Sequence, residues 1–517
     1  MTAPIVDAGG IKITEGDRRY AALCRGHDPG RCAGPDYVRL VSDSAQVRHA
    51  LEQAVNEPVA DPARARIAVR SGGHCHQDRV CAEDVRVVID MSLMDGVHHD
   101  PAMDAICVEA GATGGDLRKR LWLKTGKVMP GGSCPAAEIG GHVPAGGFGP
   151  LSRQHGLAVD YLYAVEVAVV GRDRRARLVT ATRDSRDERL RELWWAHTGG
   201  GGGNFGIATR FWFRDLPDAP EQVLFTAGGW KWPAVDKERF ARIIGNFGRF
   251  FAEHRRPGGP YDPLSAVLRL THRSQGEIGL VAQIDAGVPG ARDLLARFLT
   301  AMNEGVGVQC RSLGESCGEY PASIGPHAPV VLPWDTVERM FGPVDAMRAG
   351  KHKSAYMVRP LPDEQIEALW RGLAEDDPGA ERDAVVQIDA YGGAINRPAP
   401  GETAVMQRSS ILRLQHQVHW PVTERGEEHL RWIRELYRSM YASTGGVPLP
   451  ACMQDDPVTD GCCVGHPDAD LNDPEWNASD APWWRLYYGR DYRRLQRVKE
   501  RWDPLDVFRH AQSVRLP

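Results

Sequence analysis

Four glycine-dense loops carry the strongest chemical signal in the chain. They are Arg70-Ser71-Gly72-Gly73-His74, Pro130-Gly131-Gly132-Ser133-Cys134, Gly140-Gly141-His142 running on to Gly146-Gly147-Phe148-Gly149, and Thr198 through Gly206. Glycine permits positive φ and close backbone approach, so successive N–H groups can converge on a diphosphate. Two of the loops end in a nucleophile, His74 or Cys134. Imidazole nitrogen and thiolate sulfur are the protein groups suited to bonding an electrophilic ring such as a flavin. Taken singly, each loop reads as a tight turn, His74 as a hydrogen-bonded loop histidine and Cys134 as a small buried filler. Four together point to a dinucleotide. One loop satisfies GxGxxG at Gly201, Gly203 and Gly206, but Leu193-Trp194-Trp195-Ala196-His197 precedes it and a strand-like segment follows. A nicotinamide-binding fingerprint needs a strand before and a helix after.

A second set of polar residues sits on strand-like segments further on. A period of two puts Gln387, Asp389 and Tyr391 opposite Ile388 and Ala390, and puts Arg413, Gln415 and Gln417 opposite Leu412 and Leu414. Each polar face is either a solvated surface or the lining of a site.

These residues need a frame to hold them. Ser42 is placed to cap a helix carrying Val47, Ala50, Leu51 and Ala54 on one face. Strands are expected over 66–70, 85–91, 105–112, 161–170 and 205–213, with the glycines where strands stop. From about Leu216 longer helices mix with strands over 277–284, 384–391 and 410–420. A helix over 427–441 shows Leu430, Ile433, Leu436, Tyr437 and Met440 at helical spacing, a core-facing stripe. The pattern is α+β, with expected units at 1–215, 216–455 and a closing segment 456–517 that returns to the first. Apart from the five glycines Gly199 to Gly203, neither repeat nor low-complexity tract is visible.

Bulk properties narrow the class. At 517 residues the chain exceeds what one hydrophobic core usually organises. Apolar residues are 42% and charged ones 25%, and no apolar run nears the roughly 18 residues of a membrane span. A net charge of -5 with signs interspersed gives no nucleic-acid footprint. No charged start followed by an apolar core opens the chain, so a cytoplasmic protein is expected. The 11 cysteines contain no CxxC pair, which argues against a zinc site, and their odd number leaves at least one outside any cysteine pairing.

The loops, with Gly132-Ser133-Cys134-Pro135 and Gly146-Gly147-Phe148-Gly149-Pro150-Leu151-Ser152-Arg153 among them, resemble the flavin-binding half of the berberine bridge enzyme-like oxidases. Asp160-Tyr161-Leu162, Leu193 to Gly200, Asn204-Phe205-Gly206, Tyr487-Tyr488-Gly489, Lys499, Asp503-Pro504 and Gln512-Ser513 extend the likeness. It covers roughly the first 215 and last 30 residues, and only short islands between. Within the family the chain is most similar to bacterial glucooligosaccharide and hexose oxidases and to antibiotic-tailoring oxidases. The resemblance implies a two-lobed FAD-binding domain of the PCMH, or vanillyl-alcohol-oxidase, type beside a substrate domain with a large antiparallel sheet flanked by helices. It implies FAD held by an 8α-N-histidyl bond at His74 and a 6-S-cysteinyl bond at Cys134. Arg70, Ser71, Gly72, Gly73, Gly131, Gly132, Ser133, Gly140, Gly141, His142, Gly146, Gly147, Gly149, Asn204, Gly206, Tyr487 and Tyr488 are the further expected cofactor contacts.

The same likeness puts Gln387, Asp389 and Gln415 in a sugar site, with Tyr391 beside them. It also shows a departure. Where the family reads Tyr-x-Asn-Tyr-x-Asp this chain has Cys463-Val464-Gly465-His466-Pro467-Asp468, so His466 stands at the expected tyrosine base. A histidine of ordinary pKa, roughly 6.5, accepts a proton near neutrality. The expectation is that His466 does so, oriented by Asp389; the blander reading is a loop histidine in a site altered for another reaction. Three activities follow: oxidation of a hydroxyl on a small, sugar-containing molecule with dioxygen making peroxide; a flavin-dependent cyclisation, desaturation or redox-neutral epimerisation; or ligand binding without chemistry.

Overall fold

The computed structural model describes residues 5–24, 34–75, 80, 82–132, 134–312, 329–340, 348–375, 382–423 and 426–517. Its strands form three sheets. The first contains β1 (Ile5–Asp7), β2 (Gly10–Ile13), β3 (Tyr37–Leu40), β4 (Arg66–Arg70) and β5 (Val85–Asp90) in the order β1-β2-β3-β5-β4, with β5 parallel to both its neighbours. Parallel strands are covered on both faces, which is why Val85–Asp90 is buried along its whole length. The helix Ser44–Asn56 buries Val47, Ala50, Leu51 and Ala54 as the periodicity predicts, but its cap is Asp43, whose carboxylate accepts from the Gln46 N–H. Ser42 lies one residue too early; its N–H and hydroxyl donate to the Gln46 side chain.

The second sheet is antiparallel: β6 (Val97–Asp100), β7 (Ala105–Glu109), β8 (Leu162–Val170), β9 (Ala176–Thr182) and β10 (Ile207–Phe213), in the order β6-β7-β10-β8-β9. Its strand β8, between β10 and β9, is fully buried, and Glu166 in it is tolerated because Arg210, Ser44 and Thr209 all donate to it.

The third sheet has eight strands. In the order β14-β11-β13-β12-β17-β18-β16, with β15 also on β11, they are β11 (Gln222–Lys231), β12 (Leu264–Thr271), β13 (Glu277–Asp285), β14 (Arg311–Ser312), β15 (Val330–Pro333), β16 (Arg348–Met357), β17 (Asp383–Ala390) and β18 (Leu412–Pro421). One face is apolar. Ile388, Ala390, Leu412 and Leu414 join Phe247, Phe298, Leu369 and Leu436 from the helices Lys237–Glu253, Ala291–Asn303, Asp363–Ala374 and Glu427–Met440. In the last helix Ile433, Leu436, Tyr437 and Met440 are buried and Leu430 packs at the edge. The other face is polar and looks towards the glycine loops. The α+β expectation holds. No described helix is long and apolar enough to cross a membrane.

The chain's end ties back to the glycine run. Lys499 Nζ donates to the Asn204 carbonyl at 2.9 Å, Tyr488 Oη to the Gly200 carbonyl at 3.2 Å, and the Val514 N–H to Asn204 Oδ1 at 2.8 Å.

Candidate active site

A cavity of about 960 Å³ opens between the glycine loops and the polar face of the third sheet. That volume is at the top of the roughly 300–1,000 Å³ range of small-molecule sites. On the first wall, β4 ends at Arg70 and the chain turns through Gly72 and Gly73 at φ 69° and 70°, left-handed values that favour glycine. The turn presents His74. Its Nε2 lies 3.1 Å from the Ala136 carbonyl, which can only accept, so the proton is on Nε2 and the lone pair on Nδ1. Packing around the ring, which still faces the open cavity, and the Arg70 charge hold the imidazole pKa below its ordinary value, against the pull of that carbonyl. His74 is therefore a largely neutral imidazole near pH 7. Cys134, a half-buried free thiol, lines the same cavity.

The neighbouring loops brace each other. A Cβ on Gly149 would stand 1.7 Å from the Gly131 carbonyl oxygen, so two backbones meet where no side chain fits. The Gly132 N–H donates to Nε2 of His142 at 2.9 Å, and burial, then Arg413, push the His142 pKa down to about 4. At Gly141 and Gly203, both in the cavity wall, a Cβ would meet nothing within 4 Å. The wall there is bare backbone facing open space, a cradle that fits a dinucleotide.

Most expected cofactor contacts line the cavity: Ser71, Gly73, Gly132, Gly140, Gly141, His142, Gly146, Gly147, Gly149, Asn204 and Tyr487. Others shape it from behind. Arg70 turns away to pair with the buried Asp90 at 2.6 Å, because a guanidinium in that position has a carboxylate on the adjacent parallel strand to satisfy. Gly72 makes the turn, Gly131 packs on Gly149, Gly206 leaves room for Val167, and Tyr488 holds the Gly200 carbonyl. Ser133 lies outside the described residues.

The opposite wall is a grid of cross-strand partners. Asp389 faces Arg413, which faces Tyr356; Gln387 faces Gln415. Asp389 accepts from Gln387 Nε2 at 2.6 Å, Gln415 Nε2 at 2.9 Å and Arg413 Nη1 at 3.1 Å. Arg269 Nη1 donates to Gln387 Oε1 at 3.1 Å. Tyr391 packs edge-on to Tyr356 at 5.2 Å and tilted against Phe148 at 5.4 Å, and the Arg413 guanidinium lies 4.9 Å over Phe148. Gln387, Asp389, Tyr391, Gln415 and His466 all line the cavity.

His466 is engaged by a neighbour that alternation did not connect to it. Arg413 Nη2 stands 2.8 Å from its Nε2, and guanidinium only donates, so that nitrogen's lone pair is already engaged. Burial, then the Arg413 charge, push the pKa down to about 3. A ring so placed is a weak base near neutrality. Asp389 does not orient it directly; Arg413 lies between, because Asp389 and Arg413 are register partners and arginine spans the gap. Strand alternation had put Arg413 on the right face without giving it a role. Tyr356 went unseen because β16, Arg348–Met357, mixes lysines and a histidine with few apolar residues.

Two family models match: one described as FAD binding domain over residues 35–171, the other as Berberine and berberine like over residues 464–515. The chain is 43% identical to an aclacinomycin-N/aclacinomycin-A oxidase of Streptomyces galilaeus, over 98% of this chain and 90% of that protein. It is 32% identical to a hexose oxidase of Chondrus crispus, over 93% and 90%. Among solved structures it superposes with TM-score 0.88 on a glycopeptide hexose oxidase complexed with teicoplanin, at 36% identity and covering 99% of each chain.

Proposed function

The chain belongs to the berberine bridge enzyme-like FAD-linked oxidases, and from that membership we propose that it oxidises a hydroxyl carbon of a sugar or glycosylated secondary metabolite, using FAD tethered at His74 and Cys134 and dioxygen as final acceptor. The observation that carries the reading is the single cavity shared by His74, Cys134 and the polar face of Gln387, Asp389, Arg413 and Gln415. A hexose oxidase, an aclacinomycin oxidase and a glycopeptide hexose oxidase among the similar proteins support the substrate class. On this reading residues 1–215 and 456–517 hold the cofactor and 216–455 present the substrate.

FAD, when bound, supplies the hydride acceptor. The residues of the chain do the rest. Glycine N–H groups seat the diphosphate, and His74 and Cys134 fix the ring. Gln387 and Gln415, held by the Asp389 carboxylate, offer amide groups to sugar hydroxyls. Tyr391, as its phenolate, accepts the hydroxyl proton. Burial raises its pKa, against Arg408 and Arg413, so the accepting form is a small fraction near neutrality that grows with pH and is a strong base where it forms.

The test is the purified holoprotein on a panel of free and glycosidic sugars, with peroxide measured alongside flavin reduction under anaerobic conditions. Peroxide release with at least one sugar, slowed about 10²-fold or more in Tyr391→Phe, is the expected result. One observation favours a second reading. Arg413 donates to His466, so the residue at the position where the family places a base is engaged by a cation, as a reaction that does not begin from a hydroxyl would allow. Flavin reduction by a non-glycosylated ketone, with no response to any sugar, would select it.

A further inference from the structure

Glu138 is a buried carboxyl, 8% exposed, that precedes the short helix Ile139–His142 and lines the cavity. Its Oε2 makes no close hydrogen bond among the described residues, although the Ser71 and Ser92 hydroxyls act on the carboxyl. A carboxylate oxygen left so costs free energy, about 1–3 kcal/mol or more for a charged group, and calls for a reason. Its position supplies one. A Cβ at Gly72 would lie 3.0 Å from Cδ2 of His74 and 3.3 Å from Cγ of Glu138, so the two side chains flank one glycine. The backbone is pinned there, the Ile139 N–H donating to the Ala112 carbonyl at 2.9 Å.

We propose that Glu138 is the proton acceptor for the bond between His74 and the flavin, an inference that rests on the tether proposed above. In that attachment one C–H bond of the ring's C8 methyl group breaks and one bond forms from Nδ1 of His74 to the same carbon. The methyl proton goes to Glu138 and the imidazole Nε2 proton is released. Two electrons pass to the ring, and dioxygen removes them with two protons as hydrogen peroxide. His74 has its proton on Nε2 and its lone pair on Nδ1, so it is set to attack and needs a neighbour only for the methyl proton.

The charges around Glu138 suit the role. Burial, then the Asp90 charge, raise its pKa to about 7, while Ser71, Ser92 and Arg70 pull the other way. Arg70 is itself neutralised by Asp90, and His74 is neutral. A carboxyl near pH 7 is a base at working pH and yet strong enough to hold a proton briefly. The accepting form is the carboxylate, so attachment should speed up as pH rises through about 7.

The experiment uses full-length protein made in riboflavin-starved cells and then given FAD. Noncovalent uptake is followed by fluorescence, and covalent uptake by the mass of the His74 peptide, from pH 5.5 to 9. Wild type should attach flavin with a midpoint near pH 7. Glu138→Gln should bind FAD but form the histidyl bond about 10²-fold more slowly and without that inflection, with Glu138→Asp partly restoring both. Wild-type rate and profile in Glu138→Gln would overturn the proposal, and so would a wild-type profile lacking the inflection should the variant not fold. Wild type with flavin on Cys134 and none on His74 would remove the histidyl tether itself, a failure recognisable without any variant.

Discussion

Nη2 of Arg413 lies 2.8 Å from Nε2 of His466, and Nη1 of the same guanidinium lies 3.1 Å from Oδ2 of Asp389. One side chain thus connects the carboxylate and the imidazole that the sequence suggested would meet. It also fixes the protonation of the ring, because a nitrogen that accepts from guanidinium carries no proton of its own.

The pH dependence of turnover follows from this. With a pKa of about 3, His466 is neutral throughout the useful range and would impose no inflection near 6.5. The Tyr391 phenol, raised by burial, accepts only as phenolate, whose fraction grows tenfold per pH unit below its pKa. We expect log kcat/KM to climb between pH 7 and 9 in wild type and in His466→Ala, whose rate stays within about tenfold of wild type. Tyr391→Phe should lose about 10²-fold or more and flatten the profile. A plateau above pH 7 that disappears in His466→Ala would restore the histidine as base.

Arg413→Gln tests the connection itself. Breaking a buried ion pair leaves the partner charge uncompensated and costs about 3–5 kcal/mol. Asp389 keeps two amide donors, so the low end, about 3 kcal/mol, is expected in chemical denaturation. With the guanidinium gone one of the two causes holding the His466 pKa down disappears, so its titration by NMR should move up. Unchanged titration would mean that burial alone sets it.

Much of this was legible because it is periodic. Alternation along 386–391 and 412–418 picked out the polar face that lines the cavity, and a glycine run marked the end of the strand that leads to His74, whereas the run before Cys134 follows the helix Leu123–Thr125. Cross-strand register was not legible. Nothing local in Arg413 says that it stands opposite Asp389 on one side and Tyr356 on the other; that depends on β18 lying between β17 and β16. The pairing of Arg70 with Asp90 was hidden for the same reason, since the two are adjacent only through the parallel pairing of β4 and β5. Glu138 carried no signal at all, because the burial of a carboxyl is a property of its surroundings.

Two glycines in the cavity wall should respond oppositely to alanine. At Gly141, inside the helix Ile139–His142, a methyl meets nothing within 4 Å, and glycine is disfavoured in a helix by roughly 0.5–1 kcal/mol. Gly141→Ala should leave the apoprotein as stable as wild type or slightly more so, and weaken FAD binding by filling the cradle. Gly149→Ala would force a carbon to 1.7 Å from the Gly131 carbonyl, which only backbone movement relieves. That variant should be poorly folded. Thermal unfolding of both apoproteins with FAD titration of the first checks the pair; undiminished FAD affinity in Gly141→Ala would place the cofactor elsewhere.

The last prediction concerns Lys499, whose ammonium is wholly buried and donates to the Asn204 carbonyl at 2.9 Å, to Asp503 Oδ2 at 2.6 Å and to the Phe508 carbonyl at 2.5 Å. It connects the chain's last helix to the residue that ends the five-glycine run, and the Val514 N–H reaches the same asparagine. Lys499→Met removes the cation and leaves Asp503 buried without it, a loss of about 3–5 kcal/mol. Asn204 lines the cavity, so loosening it should reach the cofactor as well. Removing residues 513–517 takes away the Val514 contact while keeping the ion pair, and separates the two effects. The expected pattern is lower stability in Lys499→Met and faster release of noncovalent FAD in both variants, measured with His74 and Cys134 replaced by alanine. Release at the parent rate in the truncated protein, with only stability lost in Lys499→Met, would reduce the closing segment to a structural clasp with no part in holding the cofactor.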